Sequence, residues 1–130
     1  MTVTTGTSAP AETIGVYQAI GGRGALTAAV DDFYRRLLAD PVLSAYFPGG
    51  ASARHRAYLV TILGEALGGP ERYRGPDLAG AHRGLGITDA HFDRTAGHLH
   101  DTLIGLGVAR DLADYIVGIV AGLRPAVVTA

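Results

Sequence analysis

The stretch from Ala66 to Ile87, ALGGPERYRGPDLAGAHRGLGI, constrains the fold of this chain more than any other. It holds six glycines, two prolines and a single histidine, His82, between two strongly helical regions. An irregular connection of this length inside a small helical domain argues against the surrounding helix assignment unless the loop has a task of its own. The task that fits is to lie against a large ligand and direct one imidazole at it. Gly80, Gly84 and Gly86 let the backbone bend around His82, and Asp77 is placed to cap a short turn ending there. An ordinary loop histidine satisfies the same pattern, and spacing does not choose between the two.

The flanking segments have helical periodicity almost throughout. Ile14, Tyr17 and Ile20 fit a short first helix stopped by Gly21-Gly22. From Gly24 to Ala39, Leu26, Val30, Phe33 and Leu37 recur on one face. Asp40-Pro41 reads as an N-cap followed by Pro, opening a short turn that ends in Tyr46-Phe47 before Pro48-Gly49-Gly50. A helix from Ser52 to Leu67 carries the stripe His55, Leu59, Ile62 and Ala66, and Gly68-Gly69 ends it. Thr88 is the expected N-cap of a helix to Leu106 with Phe92, Ala96, Leu99, Leu103 and Leu106 inside. The last helix spans Asp111 to Leu123, with Leu112, Ile116, Ile119 and Leu123 inside and Arg124-Pro125 terminating it. The fold class is therefore all-α. The final two helices are expected to pack as an antiparallel pair, crossed by the pair around Leu26 and Leu59. Inner stripes of Ala, Gly, Val and Leu leave room for a bulky apolar ligand, or else permit close helix packing.

Composition narrows the function classes. With 130 residues and 48% hydrophobic content, the chain makes one domain, expected over residues 13–128. Residues 1–12, MTVTTGTSAPAE, lack positive charge and an apolar run, so they read as a disordered tail and not a targeting peptide. The formal charge is −1 and the longest basic run is Arg35-Arg36, which gives no footprint for nucleic acid. No segment has the ~20 apolar residues of a membrane span, so a cytoplasmic protein is expected. Cysteine is absent, which excludes disulfides, thiolate metal sites and thioether-linked haem.

Five histidines remain to be placed. His98 and His100 lie about 200° apart around a helix and cannot share one ion. His91 and His98 share a face without a third ligand on it, and are expected to be solvated helix histidines. His55 is either a core-edge residue or a ring facing a cavity. Tyr34 lies beside the apolar face of its helix, where a partly buried phenol needs a partner for its hydroxyl. It is either a boundary residue or a donor to a polar diatomic ligand.

From Tyr17 to Val128 the chain resembles the group I truncated haemoglobins. The resemblance rests on Tyr17-Gln18-Ala19-Ile20-Gly21-Gly22, Asp31-Asp32-Phe33-Tyr34-Arg35-Arg36 and Ala39-Asp40-Pro41. It continues in Ala66-Leu67-Gly68-Gly69-Pro70, in Ala81-His82-Arg83-Gly84-Leu85-Gly86-Ile87 and in His91-Phe92. It implies a two-over-two α-helical sandwich holding one non-covalent haem b per chain, with most of the helix that carries the proximal His replaced by loop. His82 matches the family's iron ligand, Tyr34 its distal Tyr, and Phe47 the Phe that packs on the haem face. Arg54 and Tyr73 fall where propionate partners are found, and Ile62, Leu78 and Phe92 among the residues expected to line the cofactor. The chain departs from the family at the other distal positions. Where relatives commonly place Gln or Leu and then Gln or Thr, it has His55 and Leu59; where many have Lys or Arg for a propionate, it has Tyr58.

The resemblance implies reversible binding of O2, NO and CO by a monomer or weak dimer, serving oxygen transport or NO detoxification. Detoxification means NO dioxygenation with an external reductase, since nothing in the chain binds flavin or NAD. An alternative has His55 binding the iron as well, giving a six-coordinate bis-His haem for electron transfer or peroxide chemistry. A haem-free helical interaction module is the third possibility.

Overall fold

A helical turn over residues 15–19 runs into Gly21, whose φ of 110° lies in the left-handed region. A Cβ at Gly21 would stand 2.8 Å from that of Ala25, so only glycine makes this corner. The glycine pair therefore does more than stop the first helix. It starts the next one at Gly22, two residues earlier than expected. The computed structural model describes residues 15–70 and 82–129; the expected tail over 1–12 lies outside them.

Helix α1 (Gly22–Ala39) buries Leu26, Ala29, Val30, Phe33, Tyr34 and Leu37, the anticipated stripe widened by its neighbours. A 3-10 turn (Leu43–Tyr46) follows, and then α2 (Ala53–Ala66), α3 (Asp89–Gly105), α4 (Arg110–Ala121) and the short α5 (Arg124–Val127). Helix α1 packs on both α2 and α3, and α3 packs on α4, so α1 joins two helix pairs. Strands are absent among the described residues.

The ends of α2 and α3 have one construction. Gly68 N–H bonds to Glu65 O at 3.1 Å and Gly69 N–H to Gly64 O at 2.8 Å. Gly107 and Val108 repeat this with Ile104 and Leu103, both at 3.0 Å. These are Schellman caps, with Gly68 and Gly107 at φ 85° and 89° supplying the left-handed residue. Thr88 caps α3 as expected, its hydroxyl accepting from His91 N–H at 3.1 Å.

Three expectations change. Leu106 is 50% exposed rather than inward, because α3 ends at Gly105 and the cap turns the next side chain off its face. Arg124-Pro125 does not simply terminate a helix to Leu123: α4 stops at Ala121 and Pro125 sits in the first turn of α5. The stripe expected to pack α2 into the core is also displaced by one position. Val60, Leu63 and Leu67 are the buried residues, whereas Leu59, Ile62 and Ala66 are half-buried and His55 is exposed. The core itself is tight. The void between Leu26, Val30, Phe33, Leu63 and Leu99 measures about 10 Å³, room for one water at most. Beside it, Ala25, Ala28 and Ala29 of α1 face Leu103, Leu106 and Val108 across a cavity of about 180 Å³, and further apolar surface lies on the neighbouring face of α2.

Candidate functional site

That face meets Tyr34 from α1 and Phe47 from the end of the 3-10 turn. The Tyr34 ring stands edge-on to Phe47, with centroids 5.7 Å apart and planes at 89°. His55 completes the group at 5.6 Å from Phe47 and 6.4 Å from Tyr34. Leu59 and Phe47 pack on the core from one side and remain half-exposed on the other. Tyr58 and Ile62 are half-buried on the same helix, and Arg54 is exposed on its first turn.

Tyr34 is 6% exposed, and its hydroxyl donates to the carbonyl of His55 at 3.3 Å. Burial pushes its pKa up to about 12, against the opposing pull of the Arg56 guanidinium, which lies 5.9 Å above the ring. The phenol therefore stays a neutral donor across the physiological range. At 3.3 Å the bond is long for an O–H donor. Its acceptor also takes the α2 ladder bond expected of a first-turn carbonyl. Turning the hydroxyl elsewhere thus orphans nothing.

His55 is held differently. Ser52 caps α2, its hydroxyl accepting from His55 N–H at 3.2 Å. In return the His55 Nδ1 accepts the Ser52 backbone N–H at 3.0 Å, a capping box with imidazole in the usual place of Glu or Gln.

His82 is half-buried and begins a turn closed by Leu85 N–H on its carbonyl at 3.2 Å. Downstream the segment is fastened by the C-terminus. Gly86 N–H donates to Thr129 Oγ1 at 3.1 Å, and Thr129 N–H to Ile87 O at 3.0 Å. Arg124 ties α5 to α3 through Asp89 at 2.8 Å and through Asp93, its guanidinium lying 4.6 Å over the buried Phe92 ring. Tyr73, Leu78 and the Asp77 cap lie outside the described residues.

These side chains fit a large apolar cofactor. They offer a half-bare apolar wall, a neutral phenol and an imidazole beside it, and a second imidazole on a separately anchored turn. The bacterial-like globin family model matches residues 15–129. A group 1 truncated haemoglobin of Mycolicibacterium paratuberculosis is 41% identical over 92% of this chain and 88% of its own length. The chain belongs to the group 1 truncated haemoglobins. A second member, from Nostoc sp., is 34% identical over 74% of this chain and 81% of its own. The Fe(III) truncated haemoglobin of Tetrahymena pyriformis superposes with a TM-score of 0.83 at 29% identity, covering 88% of this chain and 98% of that one. A 2/2 haemoglobin of Synechococcus sp., in the cyanomet state with covalently attached haem, gives 0.77 at 34% identity over 84% and 92%. As a truncated haemoglobin the chain is a haem globin with the two-over-two fold.

The other three histidines of this truncated haemoglobin are not merely solvated. His98 Nε2 donates to Asp40 Oδ2 at 2.7 Å, His91 Nδ1 meets the Tyr46 hydroxyl at 2.6 Å, and His100 Nε2 donates to Asp114 at 2.9 Å. Each partner sits on another element, where a search along one helix face does not look. Among the described residues, no group of three or more His, Cys, Asp or Glu is placed to hold a metal ion. No helix there is long and apolar enough to cross a membrane. Ser52, Arg56 and Thr129 were missed from the sequence. Only Ser52 had a legible signal, the Ser-x-x-His spacing ahead of an apolar run, which departs from the usual capping-box pair in its last residue.

Proposed function

We propose that this truncated haemoglobin reversibly binds O2, and also NO and CO, with His82 as the axial ligand of one non-covalent haem b. The absence of cysteine, which removes the thioether route to attachment, supports non-covalent retention. When bound, the haem supplies a ferrous centre open to diatomic ligands on the side of Tyr34 and His55.

The observation that carries this reading is the Tyr34 hydroxyl: buried, neutral, and held by a single long bond that it can exchange. It would exchange the His55 carbonyl for a bound polar ligand, and a hydrogen bond to a partly charged acceptor is strong where the surroundings are apolar. Phe47 and Leu59 make that face apolar, and Leu59 offers no donor. Hydrogen bonding therefore comes from Tyr34 and His55. Phe47, Tyr58, Ile62 and Phe92 are proposed to line the cofactor, with Leu78; Arg54 and Tyr73 serve its propionates. A cytoplasmic setting, a monomer or weak dimer and an external reductase for NO detoxification belong to the same proposal.

The test is the absorbance of the reconstituted, reduced protein with and without CO. A single broad visible band that gives way to two sharper bands on CO addition is expected. Absence of a Soret band after haem addition, or unchanged haem affinity in His82→Ala, overturns the reading.

A further inference from the structure

The backbone of Ser52 decides what His55 can do. Three observations converge on its imidazole. The Ser52 N–H points at Nδ1 from 3.0 Å, which requires a lone pair there. Ser52 Oγ also lies 3.1 Å from Nδ1 while accepting His55 N–H, so its own proton is available to the same lone pair. The ring is further fixed by Phe47, edge-on at 5.6 Å. A neutral imidazole with an accepting Nδ1 carries its proton on Nε2. That nitrogen is then a donor and has no lone pair to give a metal.

We infer that Ser52 is a positioning residue: through its backbone N–H it holds His55 as the Nε2–H tautomer, making His55 a hydrogen-bond donor toward the ligand and barring it from the iron. The inference rests on the proposed haem function but concerns a property of the chain itself. It removes the six-coordinate bis-His alternative by a device outside the pocket. Coordination by His55 through Nε2 would need the proton moved to Nδ1, which would set that N–H against the Ser52 N–H. Donor against donor across 3.0 Å breaks the capping box, so the helix start and the distal tautomer are one choice.

Two substitutions separate the parts of Ser52. Ser52→Ala removes the hydroxyl and keeps the backbone N–H. Ser52→Pro removes both at a residue whose φ of −85° is near that of proline. Nitrogen-15 NMR of the His55 ring, in the full chain as its diamagnetic CO form and without haem, reports which nitrogen is protonated. Wild type and Ser52→Ala are expected to be Nε2–H, and Ser52→Pro a mixture. In the reconstituted, reduced protein, the first two should show the broad five-coordinate band. Ser52→Pro should gain the paired sharp bands of a six-coordinate form by about tenfold or more. An Nδ1–H ring in wild type overturns the inference, even should the proline variant fail to fold. So does a folded Ser52→Pro that matches Ser52→Ala in both measurements. Failure of the wild type to take up haem would sink the proposed function instead, leaving the tautomer readable.

Discussion

Two polar clusters flank the segment from Tyr34 to Phe47, and they are built on opposite terms. At one, Asp40 ends α1 with its side chain 3% exposed, and five donors converge on its carboxylate. Val42 and Leu43 N–H reach Oδ1 at 2.9 and 3.4 Å, so Asp40 does cap the turn, as the Asp-Pro pair suggested. Arg94 binds both oxygens, at 2.5 and 3.0 Å, and His98 Nε2 takes Oδ2 at 2.7 Å. At the other cluster, the Tyr34 hydroxyl makes one long bond to a backbone carbonyl, the His55 ring is held through Nδ1 by Ser52, and the two side chains are not locked to one another. The first arrangement leaves the carboxylate no acceptor to spare and joins α1 to α3. The second keeps the Tyr34 hydroxyl exchangeable. Residue type therefore does not separate the two clusters; what separates them is that the Tyr34 hydroxyl can exchange its partner and the Asp40 carboxylate cannot.

The largest expected effect falls on the exchangeable side. Tyr34→Phe loses a donor worth ~1.5–3 kcal/mol to a charged acceptor, so O2 release should quicken roughly ten- to a hundredfold by stopped-flow mixing. Its melting temperature should move little, because the bond given up is long and its acceptor keeps another partner. Asp40→Asn should do the reverse. The amide cannot answer Arg94 and His98 with two anionic oxygens, and Tm should fall by on the order of 5 °C or more. O2 release should stay within about twofold. If the two variants fail to separate in this way, the division between clusters is wrong.

Acid should find the Asp40 cluster first. The hydrogen bonds from Arg94, and next from His98, hold the Asp40 carboxyl well below the usual carboxylate range. The Arg36 guanidinium likewise lowers Asp32 to about 2, against the opposing effect of burial and with help from Arg35 and Thr102. Both folded values lie below the unfolded value of about 4. The stability they contribute is present in full above that pH and is lost as pH falls through 4 toward 2. Thermal melts from pH 6 to pH 3 should show a steep loss in wild type and a shallower one in Asp40→Asn. Equal slopes would remove Asp40 from the account of acid sensitivity.

How legible each cluster was in the sequence follows from the same difference. Helix ends at Gly68 and Gly107, the Thr88 cap and the α1 stripe were readable because their interactions are local. Arg94 and His98, the partners of Asp40, lie 54 and 58 residues away, and Tyr46 lies 45 from His91; no spacing rule connects them, so His91 and His98 read as solvated. The α2 stripe was misassigned because its core face and its site face are adjacent and both apolar. Leu59 and Leu63 differ in burial only once α1 and α3 are in place. Tyr34 and His82 carry no local signature either. The roles proposed for them rest on the strings around them, not on their own chemistry.

The finest test of the division is Tyr46→Phe, because Tyr46 belongs to the turn shared by the two clusters. Its hydroxyl meets His91 Nδ1 at 2.6 Å, and the rings stand edge-on at 5.6 Å. The substitution keeps the ring contact and removes one half-buried bond. The net cost should be ~1 kcal/mol, a shift of a few degrees in Tm. Phe47, the next residue, packs against Tyr34 and His55 through its ring and is held by its own backbone bond to Ser44 O at 2.9 Å. Loss of the neighbouring hydroxyl should therefore leave Phe47 in place and O2 release within about twofold. A larger change in that rate, with Tm shifted only as expected, would mean that strain at the Asp40 side of the turn reaches Phe47. The two clusters would then be one unit, and the stability of α1 against α3 would tune ligand release.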